Sequence, residues 1–130
     1  MRYPLGEREK DSIRSKTGKR LDDINLEAVI KGKITADDIK ISKETLIKQA
    51  QVARSVDNVQ LGENFERAAE LVDVPDDVIM TIYNKLRPNR STKQELLDIA
   101  EELKSKYKAV KCANLVLEAV DIYEKRGVLL

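Results

Sequence analysis

Apolar residues recur at helical spacing from about residue 25 onward and hardly at all before it. Over residues 1–24, Tyr3, Leu5, Ile13, Leu21 and Ile24 are isolated anchors with Pro4, Gly6 and Gly18 among them. A stretch without period and with such breakers predicts an extended N-terminal arm along a partner or a frayed tail, and composition alone does not separate the two. Leu26 to Lys31 then reads as a short helix that Gly32 can stop in the left-handed conformation. Thr35 and Asp38 have the spacing of a capping box, so another single turn is expected there. Ser42 suits the N-cap of a longer helix with Leu46, Ala50 and Ala53 on one face, fading near Val56. Leu61, Phe65, Ala68 and Val72 follow at i, i+4, i+7 and i+11, the stripe of a further helix, with Gly62 weakening its start by roughly 1 kcal/mol relative to Ala.

Pro75 stands where a missing amide does no harm, and Asp76 and Asp77 favour the positive end of a helix dipole, so a helix should begin there. Its inward face is expected to be Val78, Ile79, Ile82, Tyr83 and Leu86. Pro88 ends it, Arg87 to Arg90 form a link that reverses the chain, and Ser91 with Gln94 supplies the next capping box. Leu96, Ala100, Leu103 and Tyr107 give one stripe; Ala109, Ala113, Val116, Val120 and Tyr123 give the last, ending at Gly127. Neither Pro nor Gly separates these two, which leaves one long helix or two with a sharp bend. The expected fold is all-α: an extended arm over residues 1–24 and a compact multi-helix body over 25–130.

Composition changes this picture little and function more. A chain of 130 residues has the length of one domain. Its 24 Lys and Arg are interleaved with 23 Asp and Glu for a net +1, so no basic footprint for nucleic acid emerges. The uncharged runs fall short of the roughly 20 residues that cross a bilayer, and Met1 is followed by Arg2, Tyr3 and Pro4 rather than an apolar signal core. With Cys112 alone there is no internal disulfide framework, and a cytoplasmic setting is expected.

Histidine is absent, which removes the usual proton-transfer group near neutral pH and the commonest metal ligand. Cys112 falls on an apolar helix face with no histidine to activate it, a structural position rather than a nucleophile. The pairs Asp22–Asp23, Asp37–Asp38 and Asp76–Asp77 stand where first-turn acids are expected, and adjacent helical positions diverge by about 100°. No glycine-rich phosphate loop occurs. We therefore expect no catalytic, cofactor-binding or metal residue on this chain. Arg87 and Arg90 either offer planar guanidinium groups to a partner's carboxylate or phosphate, or cap the preceding helix and stay solvated. Glu63 and Arg67 have the spacing of an intrahelical pair.

The strings NFERAAEL (Asn64 to Leu71), VPDD (Val74 to Asp77), IYNKLRPNRST (Ile82 to Thr92) and KQELLDIAEEL (Lys93 to Leu103) resemble the small subunit of cobalamin-dependent diol and glycerol dehydratases. YPL at Tyr3 to Leu5, TGKRLDDINLE at Thr17 to Glu27, ITADDIKIS at Ile34 to Ser42 and ETLIKQA at Glu44 to Ala50 are similar to that family in the same order, so the resemblance covers nearly the whole chain. It implies a lyase subunit, mostly helical, in a complex with two copies each of large, medium and small chains. It further implies adenosylcobalamin held between large and medium subunits, and substrate and metal ion in the large subunit's barrel. The small chain would pack on the large one and bind no cofactor alone. Tyr3, Pro4 and Leu5, as the apolar tip of the arm, and Arg87 and Arg90, in the link, are the expected subunit contacts. Relatives of the diol type often carry a longer N-terminal extension associated with bacterial microcompartments; here the chain opens almost at Tyr3, so the compartment lumen lacks that support. VPDD and the STK of Ser91 to Lys93 resemble the diol type and the short start the glycerol type, leaving the substrate open. The competing reading is a free-standing helical adaptor or regulator.

Overall fold

The computed structural model describes residues 2–130. Among them are seven α-helices, three single turns of 3-10 helix and two isolated bridges, with no strand. The fold is all-α. The chain divides into two compact units, one ending at Val72 and the other spanning Asp73–Leu130, a division inside the stretch that the apolar pattern joins into one body.

The first unit is built on α3 (Lys43–Ser55) and α4 (Val59–Leu71), which pack together. Ser42 caps α3 as its type predicts, its hydroxyl accepting from the Thr45 amide at 3.1 Å. Leu46, Ala50 and Ala53 are buried, the expected stripe. On α4 the buried positions are Gly62 and Ala69, while Leu61 is 41% exposed. The face has turned from the expected one because a glycine, lacking Cβ, lets the two helix backbones approach. A Cβ at Gly62 would stand 2.9 Å from Arg54 Cγ and 3.3 Å from the Ala50 carbonyl oxygen. Arg54 is held over this contact by two bonds to Glu66, at 2.8 and 3.2 Å.

Residues 2–24 depart from the extended form. They contain α1 (Leu5–Arg8) and 3-10 turns at Lys10–Ser12 and Leu21–Asp23. The segment is fastened to its own unit: the Thr45 hydroxyl donates to the Arg14 carbonyl at 3.3 Å, and Lys48 Nζ donates to the Ser12 carbonyl at 3.0 Å. The Lys16 amide donates to the Lys40 carbonyl at 2.8 Å and the Thr17 hydroxyl to Asp38 at 2.7 Å. Polar partners 21 to 36 residues away supply what local apolar period does not. The short α2 (Leu26–Ile30) follows, with Asn25 accepting from the Ala28 amide and Gly32 at φ 73°, the left-handed stop its position suggests. The turn Ala36–Ile39 carries the Thr35–Asp38 capping box.

The second unit comprises α5 (Asp76–Lys85), α6 (Lys93–Ser105) and α7 (Val110–Arg126). α6 and α7 pack through Leu96, Ala100 and Leu103 against Ala109, Ala113, Val116 and Val120, all buried and all on the expected stripes. They are two helices. Lys108, at φ 58°, turns the chain between them, a left-handed residue that no glycine or proline announces. Gly127, also left-handed at φ 68°, ends α7. Cys112 is buried, 7% exposed. No helix is long and apolar enough to cross a membrane.

Candidate subunit interface

The five residues expected at a subunit contact lie in two places, one in each unit. In the first unit Tyr3 is 67% exposed, and Pro4 precedes α1, its carbonyl accepting from the Arg8 amide at 2.9 Å. The Tyr3–Pro4 bond is cis. Leu5 differs from expectation, since it is buried at 5% exposure within its own unit as the first residue of α1. With one enclosed and the other exposed, Tyr3 and Leu5 do not form a common apolar tip. Arg2 closes the turn, its Nε 3.1 Å from Glu9 and its Nη2 donating to the Arg8 carbonyl at 2.9 Å. That hydrogen bond from the Arg2 side chain, with a second from its amide, holds the Glu9 carboxyl below its ordinary pKa.

In the second unit the link after α5 is anchored by groups other than its arginines. The Ser91 hydroxyl, buried, donates to the Lys85 carbonyl at 2.8 Å, and the Tyr123 hydroxyl donates to the Leu86 carbonyl at 2.6 Å. The Asn89 amide reaches the Val128 carbonyl at 2.7 Å, with Asn89 itself left-handed at φ 61°. Ser91 and Tyr123 thus take carbonyls at the end of α5, the groups that the arginines would cap on the alternative reading. Among the described residues neither Arg87 nor Arg90 has a side-chain hydrogen bond or ion pair, and both are exposed. Lys85, by contrast, pairs with Glu95 at 2.7 Å. This ion pair, followed by the bond from the Thr92 amide, lowers the Glu95 pKa.

The apolar pattern missed a ridge on α5. No residue of this helix is buried; Met80 is 56% and Tyr83 64% exposed, although Tyr83 was expected inward. Met80 and Tyr83 are three apart and share a face. Arg87 continues it four residues on, since Leu86 still has helical backbone angles. A helical wheel turns Ile82 and Leu86 away from that face, a signal present in the sequence but outvoted by counting Tyr as apolar. α2 also shows outward apolar residues, Leu26 and Ile30 each at 75% exposure. Among the described residues no three His, Cys, Asp or Glu side chains converge as metal ligands would.

The whole length, residues 1–130, matches the family described as the dehydratase small subunit. The chain belongs to the dehydratase small-subunit family. Two curated relatives carry the same description more narrowly. This dehydratase small subunit is 49% identical over 124 residues to the propanediol dehydratase small subunit of Salmonella typhimurium, covering 95% of this chain and 72% of the relative. It is 48% identical over 124 residues, with the same shares, to that of Citrobacter freundii. A small subunit has larger partner subunits, so the exposed ridge, the unpaired arginines and Tyr3 are surfaces to be read with a protein partner in view.

Proposed function

We propose that this chain is the non-catalytic small subunit of an adenosylcobalamin-dependent diol dehydratase, converting propane-1,2-diol to propanal and water, with glycerol to 3-hydroxypropanal as the related reaction. The observation that carries the reading is 49% identity across 95% of the chain to a propanediol dehydratase small subunit. Full-length agreement with a subunit family favours it over a free-standing adaptor. The assembly we infer holds two copies each of large, medium and small chains, in the cytoplasm, with a microcompartment lumen as the alternative setting.

The residues present do not fit cobalamin. A hollow of about 380 Å³ between Leu21–Asp23 and α2 is walled by Lys19, Asp22, Asn25, Glu27 and Lys31, charged and wide open. Two others, near α5, measure about 280 Å³ each. Pockets for drug-sized ligands start near 300 Å³ and enclose most of the ligand, and a corrin with its nucleotide arm is far larger. The chain also has no histidine to reach cobalt. On this reading cofactor and substrate belong to the larger chains, and this chain contributes surface: Tyr3 with Pro4 beside it in the first unit, Arg87 and Arg90 in the second, with Leu5 buried in its own unit.

Co-expression with the larger and medium subunits, assayed for propanal with added adenosylcobalamin, tests the reading. Activity should require all three chains, and the small chain alone should elute without cobalamin absorbance. Equal activity with and without this chain, or cobalamin co-eluting with it alone, would overturn the proposal.

A further inference from the structure

Two hollows of about 280 Å³ flank the last turn of α5, and they differ in chemistry. One is lined by Leu86, Leu115, Val116, Ala119, Ile122 and Tyr123 with Glu118 at its edge, largely apolar. The other is lined by Thr81, Asn84, Lys85 and Arg90. The ridge of Met80, Tyr83 and Arg87 runs between them by helical geometry, because Leu86 lies to one side of that face and Thr81, Asn84 and Lys85 to the other. Lys85 is already matched by Glu95, whereas among the described residues Arg87 and Arg90 have no carboxylate partner. Arg90 thus gives the notch a positive charge that Glu95 does not offset. An unpaired guanidinium beside exposed Tyr and Met is the residue combination that dominates protein interfaces, and a helix ridge with anchors three and four apart is the form that enters a groove.

We propose that this ridge is the anchor by which the chain docks on its larger partner. The occupant is a groove of the larger dehydratase subunit that receives Met80 and Tyr83, offers an apolar side chain to the Leu86–Ile122 hollow, and directs a carboxylate toward Arg90 in the notch and Arg87 on the ridge beside it. The unmatched positive charge at Arg87 and Arg90 selects an acidic protein edge. The assignment rests on the small-subunit reading and names the surface that performs it.

The test titrates the small chain against its purified larger partner at two salt concentrations, using wild type, Tyr83→Ala, Met80→Ala and the double variant Arg87→Glu with Arg90→Glu. Tyr83→Ala should weaken binding by roughly 30-fold, the loss typical of a buried interface anchor. The double charge reversal should weaken it by at least about 10-fold and flatten or invert its salt dependence, a change that loss of shape alone would not produce. All four positions are exposed, so helicity should match wild type in every variant. Wild type binding together with variants inside twofold of it would overturn the ridge assignment and leave the subunit reading standing. Failure of wild type to bind at all would overturn both.

Discussion

A methyl group at Gly62 would meet Arg54 Cγ at 2.9 Å and the Ala50 carbonyl oxygen at 3.3 Å. Helix propensity alone favours Ala over Gly by about 1 kcal/mol, but the Arg54 side chain that would have to move is tied through its Nε and Nη2 to Glu66. The clash should win. Gly62→Ala is expected to lower stability by about 1 kcal/mol, within the range for overpacking, measured by urea denaturation; a gain of that size would show that Arg54 swings aside freely. Leu96, with no exposed surface, should lose roughly 2 to 5 kcal/mol as Leu96→Ala, because its cavity is closed on all sides. The two positions show what sequence reveals at this scale. Leu96 begins an unbroken apolar stripe and was legible; Gly62 was legible only as a weak helix residue, because the value of a missing Cβ depends on atoms of Arg54 and Ala50 on the preceding helix.

At the scale of elements, caps were readable in kind and slipped in register. Ser91 with Gln94 has the capping spacing, yet the box is Thr92 with Glu95, the Thr92 hydroxyl accepting from the Glu95 amide at 3.2 Å. Ser91 was available in sequence but its hydroxyl is turned toward the Lys85 carbonyl, to which it donates, and the Thr92 hydroxyl is the one that meets the Glu95 amide. Thr92→Ala should therefore cost about 1 kcal/mol, while Gln94→Ala should stay within about 0.5 kcal/mol as a surface change; thermal denaturation of both separates the two registers. Two capping carboxylates also set an acid limit. The Asp38 pKa is lowered first by the Thr17 hydroxyl and then by the Thr35 amide, and that of Glu95 first by Lys85 and then by the Thr92 amide. Both are charged more readily in the folded chain, so their stabilisation is present above the ordinary carboxylate pKa of about 4 and is lost as pH falls through the lowered folded values. The melting temperature should decline over that acid window, and Asp38→Asn with Glu95→Gln should make the decline shallower. An unaltered slope in the double variant would show that other carboxylates govern it.

At the scale of the whole molecule, the helices from Ser42 onward follow from apolar period, whereas the fastening of the first residues rests on hydrogen bonds between distant positions that no period encodes, and the division at Val72 falls where the period shows no break. The consequence is a separation of roles within three residues. Leu5 is enclosed at 5% exposure and Tyr3 stands out at 67%, so one should serve stability and the other association. Leu5→Ala removes a buried leucine and is expected to cost about 2 to 3 kcal/mol, toward the lower end of leucine truncations because it lies near a chain end that can relax. Tyr3→Ala should change stability by less than about 0.5 kcal/mol and, on the interface reading, weaken binding to the larger subunit by roughly tenfold, about 1.4 kcal/mol. Removing residues 1–16 as a block should do both, since the bonds from Lys48 to Ser12 and from Thr45 to Arg14 are lost with it. Denaturation and partner titration of the three variants give independent axes. If Tyr3→Ala binds like wild type while the block deletion does not, the segment supports its own unit and the contact in the first unit lies elsewhere, with the outward leucine and isoleucine of α2 the next positions to substitute.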